Sequence, residues 1–146
     1  MIAAVTPVRP RVRSVYEAVI YASDPQAAAR FYADVLGLRP VEDPDELSAA
    51  LRLPDGKMLL VFDPERASRP GRPVPSHGAR GAGHLAFIVD PEEMDALEAA
   101  LREHGVDIET DLARERGRSL YFRDPAGNSV ELVDGDIWPP AVDPES

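Results

Sequence analysis

Apolar residues recur along the chain with two periods, one typical of strands and one typical of helices. Short runs rich in β-branched and aromatic residues, at residues 14–22 and 83–90, predict strands. Each run is followed by an Asp-Pro pair and an amphipathic segment that ends at a glycine, Gly37 or Gly105. Aspartate at the N-cap, proline in the first turn and glycine after the last turn predict a capped helix. The same order occurs twice, so the pattern predicts an internal repeat.

The segments that follow the two helices complete this repeat. Residues 46–63 and 117–134 each predict two strands around a glycine-containing turn. A weaker extended segment precedes each pair, at residues 38–42 and 106–112. Each half of the chain therefore consists of a strand, a helix and three strands. This order predicts an α+β protein built from two βαβββ modules.

A proline- and glycine-rich segment separates the two halves and contains four arginines against one glutamate. It is predicted to be either a solvated linker or a mobile basic flap over an anionic ligand. The predicted organisation is one domain, composed of a flexible N-terminal arm (1–14), a first module (15–63), a linker loop (64–82), a second module (83–134) and a C-terminal tail (135–146).

Composition and charge narrow the possible partners. The formal net charge of −10 repels phosphate backbones, which argues against nucleic acid as a general partner. No apolar stretch approaches the roughly 20 residues that a membrane-crossing helix requires, so no membrane partner is expected. The chain has no cysteine, which is compatible with a reducing compartment. These features predict a cytoplasmic protein that binds a small molecule.

Three potential metal ligands share one side of the predicted strands. Because side chains alternate along a strand, Glu17, His84 and Glu131 fall on the face opposite the continuous apolar residues. Superposition of the two halves makes Glu17 equivalent to His84, and Leu60 equivalent to Glu131. Two carboxylates and an imidazole suit a divalent cation, and three protein ligands leave positions open for water or substrate. The pattern therefore predicts a metal site of the catalytic kind.

The two carboxylates bear on the identity of the ion and on the alternative to a metal. Together with a divalent cation they give a neutral site, which favours manganese, magnesium or iron, while nickel and zinc remain candidates. Without a metal, Glu17 and Glu131 would need protonation or an arginine partner such as Arg123 or Arg52, because unpaired buried charge is costly. The predicted substrate pocket comprises Tyr21, Leu60, Phe62, Tyr121 and Arg123.

Three sequence blocks carry a resemblance to a known family. The blocks are "YASDPQAAARFYADVLGL" (21–38), "GHLAFIVDP" (83–91) and "YFRDPAGNSVEL" (121–132). They resemble the glyoxalase, bleomycin-resistance and extradiol-dioxygenase superfamily, also called the vicinal oxygen chelate proteins, and the likeness extends from Val15 to Val133. The resemblance implies that the paired modules form a cup-shaped mixed β-sheet with helices on its outer face. It also implies a homodimer and a metal at the base of the cup.

The resemblance assigns roles to particular positions. In the superfamily the first strand commonly supplies a histidine, the opening strand of the second module often supplies another, and the last strand supplies a glutamate. His84 and Glu131 match this pattern, whereas Glu17 replaces the commoner histidine. Leu60 stands where glyoxalase I enzymes carry a fourth ligand. The resemblance therefore indicates the superfamily without indicating one reaction.

Two functions of different classes agree with these residues. As an enzyme, the protein would bind a small oxygenated metabolite at the metal, with Glu17 or Glu131 as general base, in lyase, isomerase or dioxygenase-type chemistry. As a metal-free binding protein, it would sequester a small molecule in the manner of the bleomycin-resistance proteins. Convergence of Glu17 and His84 on one point distinguishes the enzyme from the binding protein.

Overall fold

Two four-stranded sheets, one from each half of the chain, form the framework of the protein. The computed structural model describes Ala4 and residues 9–140, and the ends of the predicted arm and tail lie outside these residues. In each sheet the first strand of the module runs parallel to the last strand, and the remaining pairs are antiparallel. The predicted α+β class and the two βαβββ modules are confirmed.

The first module has the strand order β1-β4-β3-β2. Its long helix begins as the sequence predicts, because the Asp24 side chain accepts a hydrogen bond of 3.0 Å from the backbone N–H of Ala27. Pro25 occupies the first turn, where no N–H is needed. The elements are β1 (Glu17–Tyr21), α1 (Pro25–Asp34), β2 (Arg39–Pro40), β3 (Ser48–Arg52) and β4 (Met58–Phe62).

The second module has the equivalent order β5-β8-β7-β6. Its helix differs from the prediction at the start, because Asp90 makes no side-chain capping bond and a 3-10 turn over Pro91–Glu93 precedes the α-helix. Glu93 stands at the N-cap of the α-helix itself and makes no side-chain capping bond either. The elements are β5 (His84–Ile88), α3 (Met94–Glu103), β6 (Thr110–Arg114), β7 (Gly117–Arg123) and β8 (Ser129–Val133).

The eight strands do not join into one continuous sheet within the chain. Over residues 9–140, β1 pairs only with β4 and β5 pairs only with β8, so each module keeps a free edge at its first strand. The cup expected from the resemblance would require the two sheets to be joined along such edges. Free edges are surfaces that commonly pair with another chain.

One apolar core lies between the two modules. The faces predicted to be apolar are buried, with Ile20 in the first module and Val130 and Leu132 in the second. Helix α1 packs between the modules, where the ring of Tyr32 lies 6.3 Å from that of Phe87. The opposite faces, which carry Glu17 in one sheet and His84 in the other, therefore point away from this shared core.

The segment between the modules is partly folded onto the first sheet. A short helix, α2 (Pro64–Ala67), begins after Asp63, whose side chain accepts a hydrogen bond from the N–H of Glu65. The His77 ring then packs edge-on against Phe62 at 4.6 Å, and His77 Nδ1 lies 2.9 Å from the hydroxyl of Tyr21. The linker thus covers one end of the face that carries Glu17. In the described part of the chain, no helix has the length and apolar character needed to span a membrane.

Arg118 joins helix α3 to the second sheet, and its loss should lower stability in a pH-dependent way. Its guanidinium donates to Asp111 at 2.9 Å and to Glu98 at 2.8 Å. The hydrogen bonds from Arg118 lower the pKa of the Asp111 carboxyl below its usual range. The stabilisation is therefore present above the unfolded pKa of about 4 and is lost as the pH falls through the lower folded pKa.

We accordingly expect Arg118→Ala to lower the thermal unfolding midpoint at neutral pH, with a smaller difference from the wild type below about pH 4. Thermal denaturation followed by circular dichroism at several pH values would measure this. Arg30→Ala is a suitable control, because Arg30 is exposed on α1 and makes no ion pair with the described residues. A constant difference at all pH values would contradict the role of these carboxylates.

Candidate metal and substrate site

Glu131 is a buried carboxylate in the middle of β8. Only 4% of its surface is exposed, although it lies on the face opposite Val130 and Leu132. The hydroxyl of Ser119 on the neighbouring strand donates a 2.8 Å hydrogen bond to Oε2. Arg114 Nη2 lies 3.7 Å from the same oxygen, beyond hydrogen-bond distance. These neighbours orient the carboxylate and leave Oε1 facing the adjacent strand β5.

His84, at the start of β5, faces this oxygen with a defined ring orientation. Its Nδ1 lies 3.1 Å from the carbonyl oxygen of Ser129, which can only accept a hydrogen bond. In the neutral ring Nδ1 therefore carries the proton and Nε2 keeps its lone pair. Nε2 lies 3.4 Å from Oε1 of Glu131. Two lone-pair-bearing atoms thus face each other across a short gap.

This pair suits a divalent metal ion. Ligand bonds of about 2.0 to 2.2 Å place two neighbouring ligands of one ion between roughly 2.8 Å apart, at octahedral angles, and roughly 3.6 Å apart, at tetrahedral angles. The observed separation of 3.4 Å lies within that range. A hydrogen bond from a ligating histidine to a backbone carbonyl is the usual means of orienting the ring toward a metal. His84 and Glu131 therefore have the donor atoms and the spacing for two positions around one ion.

Glu17 does not join this pair within one chain. Over the described residues, no three His, Cys, Asp or Glu side chains lie close enough to hold one metal ion. Glu17 is exposed at the start of β1, and its side chain makes no hydrogen bond or ion pair to the described residues. The expected convergence of Glu17 with His84 and Glu131 is thus not formed by a single chain, because β1 and β5 belong to different sheets.

The strand register agrees with the equivalences drawn from the repeat. Val19 pairs with Leu60 in the first sheet, and Ala86 pairs with Glu131 in the second. Glu17 and His84 are the first residues of β1 and β5, and Leu60 and Glu131 are the third residues of β4 and β8. The first module therefore presents leucine at the position where the second module presents its buried carboxylate.

The residues predicted to line the pocket are divided between the two sheets. Tyr121 lies beside His84 and Glu131, and its ring is stacked on that of His84 with 6.3 Å between the ring centroids. Tyr21, Leu60 and Phe62 lie on the outward face of the first sheet, and His77 contacts two of them. Arg123 is instead paired with Glu109 at 2.8 Å, which raises the pKa of the guanidinium. Arg123 therefore lies outside the groove that contains Glu131, and it is not the partner of Glu131.

An open groove of about 930 Å³ is lined in part by His84 and Glu131. Among the residues that were not predicted from the sequence, Arg114 and Trp138 line the groove, and the buried Ser119 bonds to Glu131. The tail reaches the groove because Gly135 packs against the β6–β7 turn, where a Cβ atom would collide with the carbonyl oxygen of Arg116. The groove lining includes His84, Ile88, Asp90, Arg114, Tyr121, Glu131, Asp134, Asp136 and Trp138.

A signal for the missed residues existed only in part. Alternation in β6 places Leu112 and Arg114 on one face, but the register with β7 and β8 decides that this face is the one with Glu131. Trp138 was visible as an isolated aromatic in the tail, without any indication of what it contacts. Both residues depend on contacts between segments that are distant in sequence.

A family model matches most of the chain. The Glyoxalase/Bleomycin resistance protein/Dioxygenase superfamily model matches residues 14–132, which include both modules and the pair His84 and Glu131. The chain belongs to this superfamily. The resemblance noted in the three sequence blocks is therefore confirmed.

Solved structures resemble most of the chain. The crystal structure of lactoylglutathione lyase from Agrobacterium tumefaciens is 36% identical, with a TM-score of 0.79, and the match covers 86% of this chain and 96% of that chain. A glyoxalase/dioxygenase from Nostoc punctiforme is 29% identical, with a TM-score of 0.67, and the match covers 91% of this chain and 99% of that one.

A curated superfamily relative is similar over a shorter part of the chain. The metallothiol transferase FosB of Shouchella clausii (strain KSM-K16) is 37% identical over 57 residues. The match spans 37% of this chain and 39% of that relative. The three similar proteins thus carry different reaction names on one fold.

Proposed function

We propose that the protein is a divalent-metal-dependent enzyme that acts on a small oxygenated metabolite by lyase or group-transfer chemistry. The single observation that carries this proposal is the arrangement of His84 and Glu131, in which Nε2 and Oε1 lie 3.4 Å apart while Nδ1 of the same ring faces a backbone carbonyl. The names of the lactoylglutathione lyase and of the metallothiol transferase support the choice of reaction class. Isomerase and dioxygenase-type reactions are the alternatives for the same metal site.

Glu17 is proposed as the third ligand, supplied by a second copy of the chain in a homodimer. Strands β1 and β5 each have a free edge over residues 9–140. Apolar side chains are exposed on these strands or next to them, including Ile88 at the end of β5, 86% exposed, and Tyr16 directly before β1, 73% exposed. Exposed apolar residues beside free edges favour association with another chain. Such an association would bring a β1 strand to the groove that contains His84 and Glu131.

The groove residues would then divide the chemical work. A bound divalent ion would act as a Lewis acid toward an oxyanion or enolate that develops on the substrate. Ser119 keeps Oε2 of Glu131 in place, so that Oε1 stays directed toward His84. Tyr121 stands beside His84 and could donate a hydrogen bond to a substrate oxygen. Glu17 is exposed within one chain and is the better placed of the two glutamates to accept a proton.

Metal binding tests the proposal directly. Purified protein would be stripped with a chelator, dialysed against Mn²⁺, Mg²⁺, Fe²⁺, Ni²⁺ or Zn²⁺, and analysed by plasma mass spectrometry. We expect close to one ion per chain for at least one metal, and a loss of affinity of about 100-fold or more in His84→Ala. His104→Ala is the matched control, because His104 lies at the end of α3 and bonds only to the Ala100 carbonyl.

Equal metal content in the wild type and in His84→Ala would contradict the proposed site. If neither protein retains metal, a metal-free binding protein of the bleomycin-resistance type becomes the better description. The Glu131 carboxylate would then be compensated by Ser119 and Arg114 alone.

A further inference from the structure

Arg114 is a cation whose hydrogen bonds go to neutral groups. Its Nε donates to the Ser119 hydroxyl at 3.2 Å, and its Nη2 donates to the Tyr121 hydroxyl at 2.6 Å. Within the described chain neither bond goes to a carboxylate, and Glu131 Oε2 is 3.7 Å from Nη2. The hydroxyls hold the guanidinium in one orientation. They leave its charge only partly compensated, and they leave Nη1 without a hydrogen-bond partner among the described residues.

The position of Arg114 makes this charge accessible to a ligand. Its side chain is 31% exposed and lines the same groove as His84 and Glu131. It is the single Arg or Lys that lines the described groove, whereas Asp90, Asp134 and Asp136 stand at the rim. The chain as a whole carries −10. A lone fixed cation in an otherwise acidic groove points to an anionic group at one place in the ligand.

Part of the groove lining is apolar. Trp138 lines it with 75% of its surface exposed, and Ile88 is also exposed there. The carbonyl oxygen of Trp138 accepts a hydrogen bond from the Arg116 guanidinium, which attaches the tail to the β6–β7 turn. An exposed tryptophan that walls a groove offers a flat apolar surface to a ligand. The volume of about 930 Å³ is adequate for a small organic molecule.

From these features we infer that the substrate is a small organic acid, whose acidic group binds Arg114 while its apolar part packs against Trp138. Arg114 is thus a specificity residue, and the inference rests on the proposed function because it concerns the same groove. A guanidinium presents two parallel N–H groups, which match the two oxygens of a carboxylate or phosphonate. Removal of one such charge-assisted contact weakens binding by about 10-fold to 100-fold.

Trp138 provides a direct binding measurement, because it is the single tryptophan of the chain. Cyclohexanecarboxylate and its neutral isostere cyclohexanecarboxamide would be titrated into the protein while the intrinsic tryptophan fluorescence is recorded. We expect the wild type to bind the acid at least about 10-fold more tightly than the amide. In Arg114→Gln the two ligands should have similar Kd values. Arg114→Lys should retain part of the preference, because it keeps the charge without the paired N–H groups.

Arg102→Gln is the matched control, since Arg102 lies on α3 outside the groove. Circular dichroism spectra of all variants would establish that they are folded. Equal Kd values of the acid and the amide for the wild type would overturn the inference. So would a Kd of the acid that Arg114→Gln changes by less than twofold, or the absence of a saturable signal with the acid.

The titrations would be done in chelator and again after saturation with Zn²⁺. If Zn²⁺ binds at His84 but the protein does not bind the acid more tightly than the amide, the inferred substrate class is wrong and the proposed metal-dependent function stands. An acid preference that persists in a protein without metal affinity supports the role of Arg114 and overturns the metal-dependent function.

Discussion

Replacing Asp124 with alanine is expected to lower the free energy of unfolding by about 3 to 4 kcal/mol. Asp124 is buried in the turn between β7 and β8, and its carboxylate accepts four hydrogen bonds. Two of the donors are buried side chains, the Tyr32 hydroxyl at 2.7 Å and the Asn128 amide at 3.0 Å. Loss of the carboxylate leaves both donors without this partner inside the core, which costs about 1 to 3 kcal/mol for each.

The same turn holds the two modules together, which is why the effect should be global. Tyr32 belongs to helix α1 of the first module, and the Asn128 amide also donates to the Tyr21 carbonyl at 3.1 Å. The Asn128 side-chain oxygen accepts the backbone N–H of Gly83 at 2.9 Å. One small cluster thus connects β1 and α1 of the first module with the start of β5 and the β7–β8 turn.

Urea denaturation would measure the change, with Asp34→Ala as an exposed aspartate control on α1. Burial, together with the Asp124 charge and hydrogen bond, raises the pKa of the Tyr32 hydroxyl far above its usual value. Stability should therefore fall as the pH rises above about 10, where unfolded tyrosine ionises, and Tyr32→Phe should weaken this dependence. A loss below about 1 kcal/mol in Asp124→Ala would contradict the proposed role of the cluster.

The second large effect concerns a site shared between two copies of the chain. Glu17→Ala and His84→Ala should each lose metal affinity by about 100-fold or more, because each removes one proposed ligand. If Glu17 and His84 act from different copies, a mixed dimer of the two variants has one site with both substitutions and one intact site. Random reassociation of equal amounts should then restore about a quarter of the wild-type sites.

The measurement is the metal content after the two stripped variants are unfolded together, refolded and dialysed against the metal that the wild type binds. Each variant treated alone is the control. No recovery in the mixture, with both variants folded, would show that Glu17 and His84 do not act across a dimer. Wild-type metal content in Glu17→Ala alone would remove Glu17 from the proposed ligand set and leave the pair His84 and Glu131.

Most of the fold could be predicted because its signals are local. Aspartate and proline mark the start of α1, and alternation in the strands separates Ile20, Val130 and Leu132 from the residues on the other face. The second helix shows the limit of such reasoning, since Asp90 has the residue type of a cap without making the bond. Whether a potential cap bonds depends on backbone angles that a 3-10 turn alters.

The candidate site could be predicted only in part, because its members lie on different strands and depend on strand register. His84 and Glu131 were selected by residue type and by the repeat, and the parallel pairing of β5 with β8 brings them together. Arg114 was missed, because it reaches Glu131 only through two further strand pairings, β6 with β7 and β7 with β8. Arg123, which was predicted instead, is closer in sequence but is held by Glu109.

The sequence by itself determined the repeat, the two βαβββ modules, the apolar faces and the residue types able to bind a metal. These follow from period, capping and chemistry, which neighbouring residues express without knowledge of the rest of the chain. Only the tertiary structure decided that the two sheets remain separate within one chain, that Glu17 lies apart from His84, and that Arg114 and Trp138 border the groove. The physical reason is that edge pairing and strand register are set by contacts between distant segments, where a shift of one residue moves every side chain to the other face.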